Sequence, residues 1–363
     1  MVVFGTRPEA IKMAPVVAAL KASEAFVPVV VASAQHREMM DQVLSTFHIV
    51  PDYDLDIMKV GQTLADVTAR VLSRLTEVLE DGKPDMVLVH GDTTTSFAAA
   101  LAAFYMQIPV GHVEAGLRTW EKYSPFPEEL NRQLVDSLAS LYFAPTELSA
   151  ENLRRENHPD AAIFVTGNTA IDALHLTMAG GAVSEFASLD KRTIVLTMHR
   201  RENWGDPMRH VFRAINRLLS EFPDVEVIFP IHKNPLVRAL ADEELLPSPR
   251  LKRIEPLDVR DFHQLMMAST FVMADSGGIQ EEAPSLGKPV LVLRETTERP
   301  EGVSAGTLKL VGTAENAVYE AARELLVNAD AYAQMAQAKN PYGDGTASAQ
   351  ILLALSAYFA RQK

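Results

Sequence analysis

The 363-residue sequence contains no cysteine. That removes disulfides, thiolate nucleophiles and cysteine-ligated zinc from the chemistry open to it. No apolar run approaches the roughly 20 residues needed to cross a bilayer, and the start of the sequence shows no basic leader followed by an apolar stretch and a cleavage site. A cytoplasmic location and no membrane partner are expected. Basic residues are comparatively few: 34 Lys and Arg stand against 47 Asp and Glu, a net charge of −13. Such a field repels polyanions at long range, so nucleic acid is not expected as a partner. The Gly-x-Gly-x-x-Gly dinucleotide fingerprint, the Walker A loop and the His-Glu-x-x-His zinc motif are also missing. Redox chemistry, ATP hydrolysis and metalloprotease action lose support with them.

What is present points to an ordinary globular protein, with 47% apolar and 22% charged residues. The length suits two domains better than one core. Short β-rich runs at 2–4, 27–32, 86–90, 110–113, 142–144 and 163–166 alternate with amphipathic stretches such as 64–79, whose apolar residues recur at three- and four-residue steps. The pattern loosens around 167–181 and restarts with runs at 194–198, 225–230, 271–274 and 289–293. This alternation predicts an α/β protein made of two doubly wound parallel-sheet domains facing a central cleft. The expected division is 1–168 and 169–346, with a last helix at about 347–363 packing back on the first domain.

In doubly wound sheets ligands gather at the carboxyl ends of the strands, and the unusual polar clusters of this sequence all follow strand-like runs. In Asp275-Ser276-Gly277-Gly278-Ile279-Gln280-Glu281-Glu282 two glycines stand where a β-run gives way to a helical one. Ser276, Gly277 and Gly278 would let backbone N–H groups approach a diphosphate, and Glu282, a turn further on, could take a ribose diol. A tight turn with a favourable pair of acids at a helix start explains the same residues, and both readings stay open. If an anion is held, a local cluster must work against the overall charge. The candidates are Arg7, Lys12, His199, Arg200, Arg201, His232, Lys233 and Arg299.

Arg7 and Lys12 follow a small Gly5-Thr6 turn, which could admit a phosphate or be a plain turn. Asp92 stands at an expected helix start, which a plain N-cap explains as well as a ligand role, and the two are not exclusive. Glu114, among small and apolar residues at a strand end, is costly to desolvate and favours function. Glu128 and Glu129 open another helix and suit its dipole whatever the chemistry. Three adjacent cationic side chains, His199, Arg200 and Arg201, are dense for a solvated loop and favour contact with phosphate.

Taken in order, these segments resemble the non-hydrolysing UDP-N-acetylglucosamine 2-epimerases, a family with the two-domain GT-B architecture. The motifs are 5–12, Gln35-His36-Arg37-Glu38, Gly91-Asp92-Thr93-Thr94-Thr95, 112–119, 127–132, 199–203, 275–282 and Thr297-Glu298-Arg299-Pro300, and they span essentially the whole chain. The resemblance implies that Asp92, Glu114 and Glu128 surround the sugar and that His199 lies near the diphosphate. It assigns Arg7, Lys12, Arg132, Phe262, Ser276, Gly277, Gly278, Glu282 and Arg299 to substrate binding. The implied partners are UDP-N-acetylglucosamine and UDP-N-acetylmannosamine, the implied assembly is a homodimer, and no cofactor or metal is called for. Some relatives bind a second UDP-N-acetylglucosamine as activator. Gln35, Glu128, Arg200 and His232 match those positions, whereas Glu38 and Gly61 depart from them. The first strand also begins, at Met1-Val2-Val3-Phe4, a few residues later than is usual in that family.

Overall fold

The computed structural model describes residues 1–33, 37–59, 61–179, 184–188 and 190–361. It divides into two units, one formed by Met1–Leu176 with Tyr342–Lys363 and the other by Thr177–Pro341. The chain therefore leaves unit 1 inside the helix Thr169–Met178 rather than just ahead of it. Three hydrogen bonds account for this. Asn168 N–H donates to Tyr342 O, and the Asp172 carboxylate accepts from the backbone N–H groups of Ala347 and Ser348, so the beginning of that helix is tied to the returning chain.

Unit 1 is a parallel sheet of seven strands: β1 (Val2–Phe4), β2 (Val30–Ala32), β3 (Tyr53–Asp54), β4 (Val87–His90), β5 (Val110–Val113), β6 (Leu141–Ala144) and β7 (Ile163–Val165). Their order is β3-β2-β1-β4-β5-β6-β7. Chain order reverses between β1 and β4, and in such sheets that switch point opens a crevice at the carboxyl ends. Helices cover both faces, which the alternation of β1 shows directly. Val2 and Phe4 enter the core shared with the helices Arg7–Ala22 and Ala347–Ala360, whereas Val3 enters the core shared with Leu64–Gly82 and Thr94–Tyr105. Burial on both faces is why these strands read as unbroken apolar runs.

Unit 2 repeats the plan with six parallel strands: β8 (Arg192–Thr197), β9 (Val225–Pro230), β10 (Leu251–Ile254), β11 (Phe271–Ala274), β12 (Val290–Val292) and β13 (Leu308–Leu310), ordered β10-β9-β8-β11-β12-β13. Ile194 and Leu196 face one core and Val195 the other. Here the switch point lies between β8 and β11. The sheets thus confirm the expected α/β class with two Rossmann-like halves. Sequence patterning misses the edge strands β3, β10 and β13, which are short and carry charged residues such as Asp54, Lys252, Arg253 and Lys309. It also underrates the helix Thr169–Met178, read as a loosening of the pattern. Among the described residues no helix is long and apolar enough to cross a membrane.

Candidate active site

At the unit 1 switch point, the turns after β1, β4 and β5 are fastened to one another by buried polar side chains. Glu9, in the first turn of Arg7–Ala22, is 2% exposed and fully engaged. One oxygen accepts from the N–H groups of Gly5 (3.0 Å) and Thr6 (2.7 Å), the other from the hydroxyls of Thr93 (2.6 Å) and Ser96 (2.7 Å). It thereby joins the β1 and β4 turns. The space a Cβ would need at Gly5 is filled by Ser33 Oγ at 2.2 Å and Thr95 Oγ1 at 2.5 Å, so this glycine serves packing between strand ends rather than ligand approach.

Asp92 does not cap its helix. Thr93 does, accepting from Ser96 N–H at 3.0 Å, which leaves the Asp92 carboxylate turned toward Arg132 Nη2 at 2.5 Å. The N-cap reading of Asp92 is thus corrected by one position. Asn131 Nδ2 donates to Asp92 O (3.0 Å), so the helix Glu128–Leu138 grips the β4 turn twice. Within that helix, Glu128 is half-buried at the first position. Glu129 is wholly buried and accepts from the N–H groups of Thr119 and Trp120, which gives it a structural task.

Glu114 follows β5 with φ 66°, in the left-handed region that a non-glycine residue occupies at a cost of roughly 1–3 kcal/mol. Its side chain is one-tenth exposed and pairs with the equally buried Lys12 ammonium. The same oxygen accepts from Asn168 Nδ2 at 2.8 Å and lies 3.6 Å from His90 Nε2. That ring nitrogen is buried and makes no hydrogen bond among the described residues. A carboxylate with so little solvent needs such partners, since an isolated buried charge is prohibitively costly. Behind it, Asp136 is completely buried between His112 and Arg118. Burial alone would raise the Asp136 pKa, but His112 and Arg118 outweigh it and hold the group below the usual carboxylate range. Burial likewise opposes the charge on Arg118, yet Glu156 and Asp136 raise its pKa further.

At the unit 2 switch point the dominant group is Asp275, fully buried just after β11. It accepts from the backbone N–H groups of His199 (3.0 Å) and Arg200 (2.9 Å) and from Asn203 Nδ2 (3.0 Å), fastening the β8 turn to the β11 turn. His199 Nδ1 lies 3.3 Å from the same carboxylate, and its ring stacks on exposed His232 with centroids 5.8 Å apart. Partial burial lowers the His199 pKa, Asp275 pulling the other way and Arg200 and His232 adding to the lowering. The helix Gly277–Ser285 starts here, and the hydroxyl of its N-cap residue Ser276 makes no capping bond. A Cβ on Gly277 would lie 2.5 Å from Arg299 Nη1, whereas one on Gly278 would meet nothing nearer than Glu282 Oε1 at 3.8 Å. Gly277 therefore admits the Arg299 guanidinium, and Gly278 leaves its flank of the helix start open. The first N–H groups of such a helix suit an anion.

Arg299 is itself buried and bonded to Glu281 Oε1 (2.7 Å) and Glu298 Oε1 (2.7 Å). Burial would raise the Glu298 pKa, but Arg299 and Arg294 bring it down to about 2. Glu282 lies 3.6 Å from buried His263, whose Nδ1 is 2.6 Å from Thr177 Oγ1. Phe262, beside it, packs against the core cluster that contains Ile279.

Of the residues predicted from sequence, Lys12, Asp92, Glu114, Glu128 and Arg132 belong to unit 1 together with Arg7, which begins the helix after the β1 turn. His199, Arg200, His232, Phe262, Ser276, Gly277, Gly278, Glu282 and Arg299 belong to unit 2. Gln35 lies outside the described residues. Lys12, expected on the nucleotide, here pairs with Glu114. Sequence reasoning gave no role to Glu9, His90, Asn168, Asp136 or Asp275. Their partners lie far away in the chain, and only the four-residue spacing of Glu128, Arg132 and Asp136 hints that Asp136 shares their stripe.

Residues 18–356 match the family model for UDP-N-acetylglucosamine 2-epimerase. The UDP-N-acetylglucosamine 2-epimerase of Bacillus subtilis is 58% identical over 366 residues, covering 100% of this chain and 96% of the relative. Among solved structures, an S. aureus protein in a UDP co-structure superposes with TM-score 0.93 at 52% identity, covering 99% of this chain and 96% of that one. The Neisseria meningitidis UDP-GlcNAc 2-epimerase, solved bound to UDP-GlcNAc, gives TM-score 0.92 at 49% identity, covering 98% of this chain and 99% of its own. A family match along nearly the whole chain, with both parallel sheets in place, makes this protein a member of the UDP-N-acetylglucosamine 2-epimerase family.

Proposed function

We propose that the protein interconverts UDP-N-acetylglucosamine and UDP-N-acetylmannosamine by eliminating UDP and adding it back. The observation that carries this reading is the pair of carboxylates, Asp92 and Glu114, that follow neighbouring strands β4 and β5, each held against a cation. The C2 hydrogen of an N-acetylhexosamine adjoins no carbonyl and is too weak an acid to be taken directly. When the anomeric C1–O bond breaks, its electron pair leaves with UDP and C1 gains oxocarbenium character, which acidifies C2–H. A carboxylate of unit 1 takes that proton, the C–H pair becomes the C1=C2 bond, and 2-acetamidoglucal results. Protonation of C2 on the opposite face and return of the UDP oxygen to C1 complete the inversion.

Asp92, Glu114 and Glu128 are assigned to the sugar, and His199 to the diphosphate. Ser276, Gly277 and Gly278 are assigned to the diphosphate through the helix start, Glu282 to the ribose and Phe262 to the base, with Arg7, Lys12, Arg132 and Arg299 supplying positive charge. Gln35, Arg200 and His232 remain the proposed contacts of an activating second substrate molecule.

Turnover in deuterated water, followed by NMR, tests the reading. UDP-N-acetylmannosamine carrying deuterium at C2 is the expected product. Product without deuterium would contradict the elimination route, and free N-acetylmannosamine with UDP would identify a hydrolysing enzyme instead.

A further inference from the structure

We propose that Asp136, acting through His112, is the positioning residue that sets both sugar-facing carboxylates, Asp92 and Glu114. The inference rests on the epimerase reading above. It begins with the helix Glu128–Leu138, where Glu128, Arg132 and Asp136 recur every fourth residue and so share one stripe. Arg132 Nη2 reaches the Asp92 carboxylate from one side of the β4 turn at 2.5 Å. Asp136, one turn further along, reaches the same turn from behind by way of a buried ring. His112 Nδ1 lies 2.6 Å from Asp136 Oδ1, and its Nε2 lies 2.7 Å from the carbonyl oxygen of Gly91, the residue before Asp92.

The second arm of the network holds Glu114. Asp136 Oδ2 accepts from Gly116 N–H (3.2 Å) and from Arg118 Nη2 (2.6 Å). Glu114 sits midway between His112 and Gly116, both tethered to this one carboxylate, and it has the left-handed φ of 66°. Release of either tether would let the backbone relax and swing the Glu114 side chain away from Lys12 and Asn168. Gly116 cannot compensate by moving inward, because its Cα packs so closely on the Ser149 carbonyl that a Cβ would come within 2.2 Å of that oxygen. Asp136 and His112 are each completely buried, so neither can touch substrate. Their effect on the reaction is exerted only through the two turns.

The test compares Asp136→Asn and His112→Gln with the wild type in the same epimerisation assay. UDP affinity is measured by calorimetry and folding by circular dichroism. His112→Gln leaves the Asp136–Arg118 pair intact, so it decides the matter should Asp136→Asn not fold. The expected result is a kcat lower by ~10- to 100-fold, the size of effect that an ångström of misplacement produces. The KM and the UDP Kd should stay within about threefold of wild type, because the nucleotide contacts are untouched. A folded variant whose kcat stays within about threefold of wild type overturns the inference, as does a parallel loss of kcat and UDP binding. An inactive wild type would instead overturn the proposed function, and this inference with it, whereas an active wild type matched by its variants overturns only the inference.

Discussion

The two units are built on the same parallel, doubly wound plan, and each gathers its unusual residues where chain order reverses, yet what they bury there differs. Unit 1 places carboxylates at the ends of neighbouring strands and pairs them with cations: Glu114 with Lys12, and Asp92 with Arg132. Unit 2 turns Asp275 onto backbone N–H groups and Glu281 and Glu298 onto Arg299, and leaves one flank of a glycine-rich helix start open. Charge that must change hands calls for side chains that can exchange protons. Charge that must merely be held calls for fixed dipoles, which need no reorganisation when the ligand arrives.

The sharpest way to break this contrast is Asp92→Asn. If unit 1 performs the proton chemistry, kcat should fall by roughly 10²- to 10⁴-fold while calorimetry finds UDP bound as in the wild type. Loss of UDP binding together with turnover would erase the division of labour. The converse change is Gly277→Ala, whose Cβ would lie 2.5 Å from Arg299 Nη1. It should weaken UDP binding by roughly 10- to 100-fold, about 1.4–2.7 kcal/mol, and kcat at saturating substrate should change far less.

Two smaller effects sharpen the picture of unit 2. The Glu298 pKa of about 2 lies below its ordinary value of 4.5, so the group stabilises the fold above pH 4.5 and that contribution is lost as pH falls from 4.5 toward 2. Glu298→Gln should lower the thermal midpoint at neutral pH by a few °C, and the difference from wild type should shrink as the pH drops through that window. His199 has a pKa below its ordinary 6.5, so the folded ring resists protonation. A diphosphate beside it would raise that pKa. Calorimetry of UDP binding near pH 6, in buffers of different ionisation enthalpy, should then report a net proton uptake greater in the wild type than in His199→Asn by a fraction of a proton, the terminal phosphate of UDP contributing to both.

Much of the architecture was legible because strands covered on both faces leave continuous apolar runs such as Val87–His90 and Phe271–Ala274. Edges were not, since Tyr53–Asp54 and Leu308–Leu310 are too short and too polar to stand out. Residue type and position after a strand single out Asp92, Glu114, His199 and Gly277 as candidates. They could not show that Thr93 rather than Asp92 caps its helix, because the choice depends on Arg132, forty residues away. Nor could they single out Asn168 or Asp136, ordinary polar residues whose importance is created by tertiary partners.

Unit 1 is assembled from two segments far apart in sequence, Met1–Leu176 and Tyr342–Lys363. Ile351, Ala354 and Leu355 fill a core that Val2, Phe4 and Met13 began. On the ribosome, the layer begun by Val2, Phe4 and Met13 must wait, greasy side uncovered, until the helix Ala347–Ala360 has emerged. A polypeptide released before that helix is made would carry an unfinished seam for chaperones and proteases to recognise.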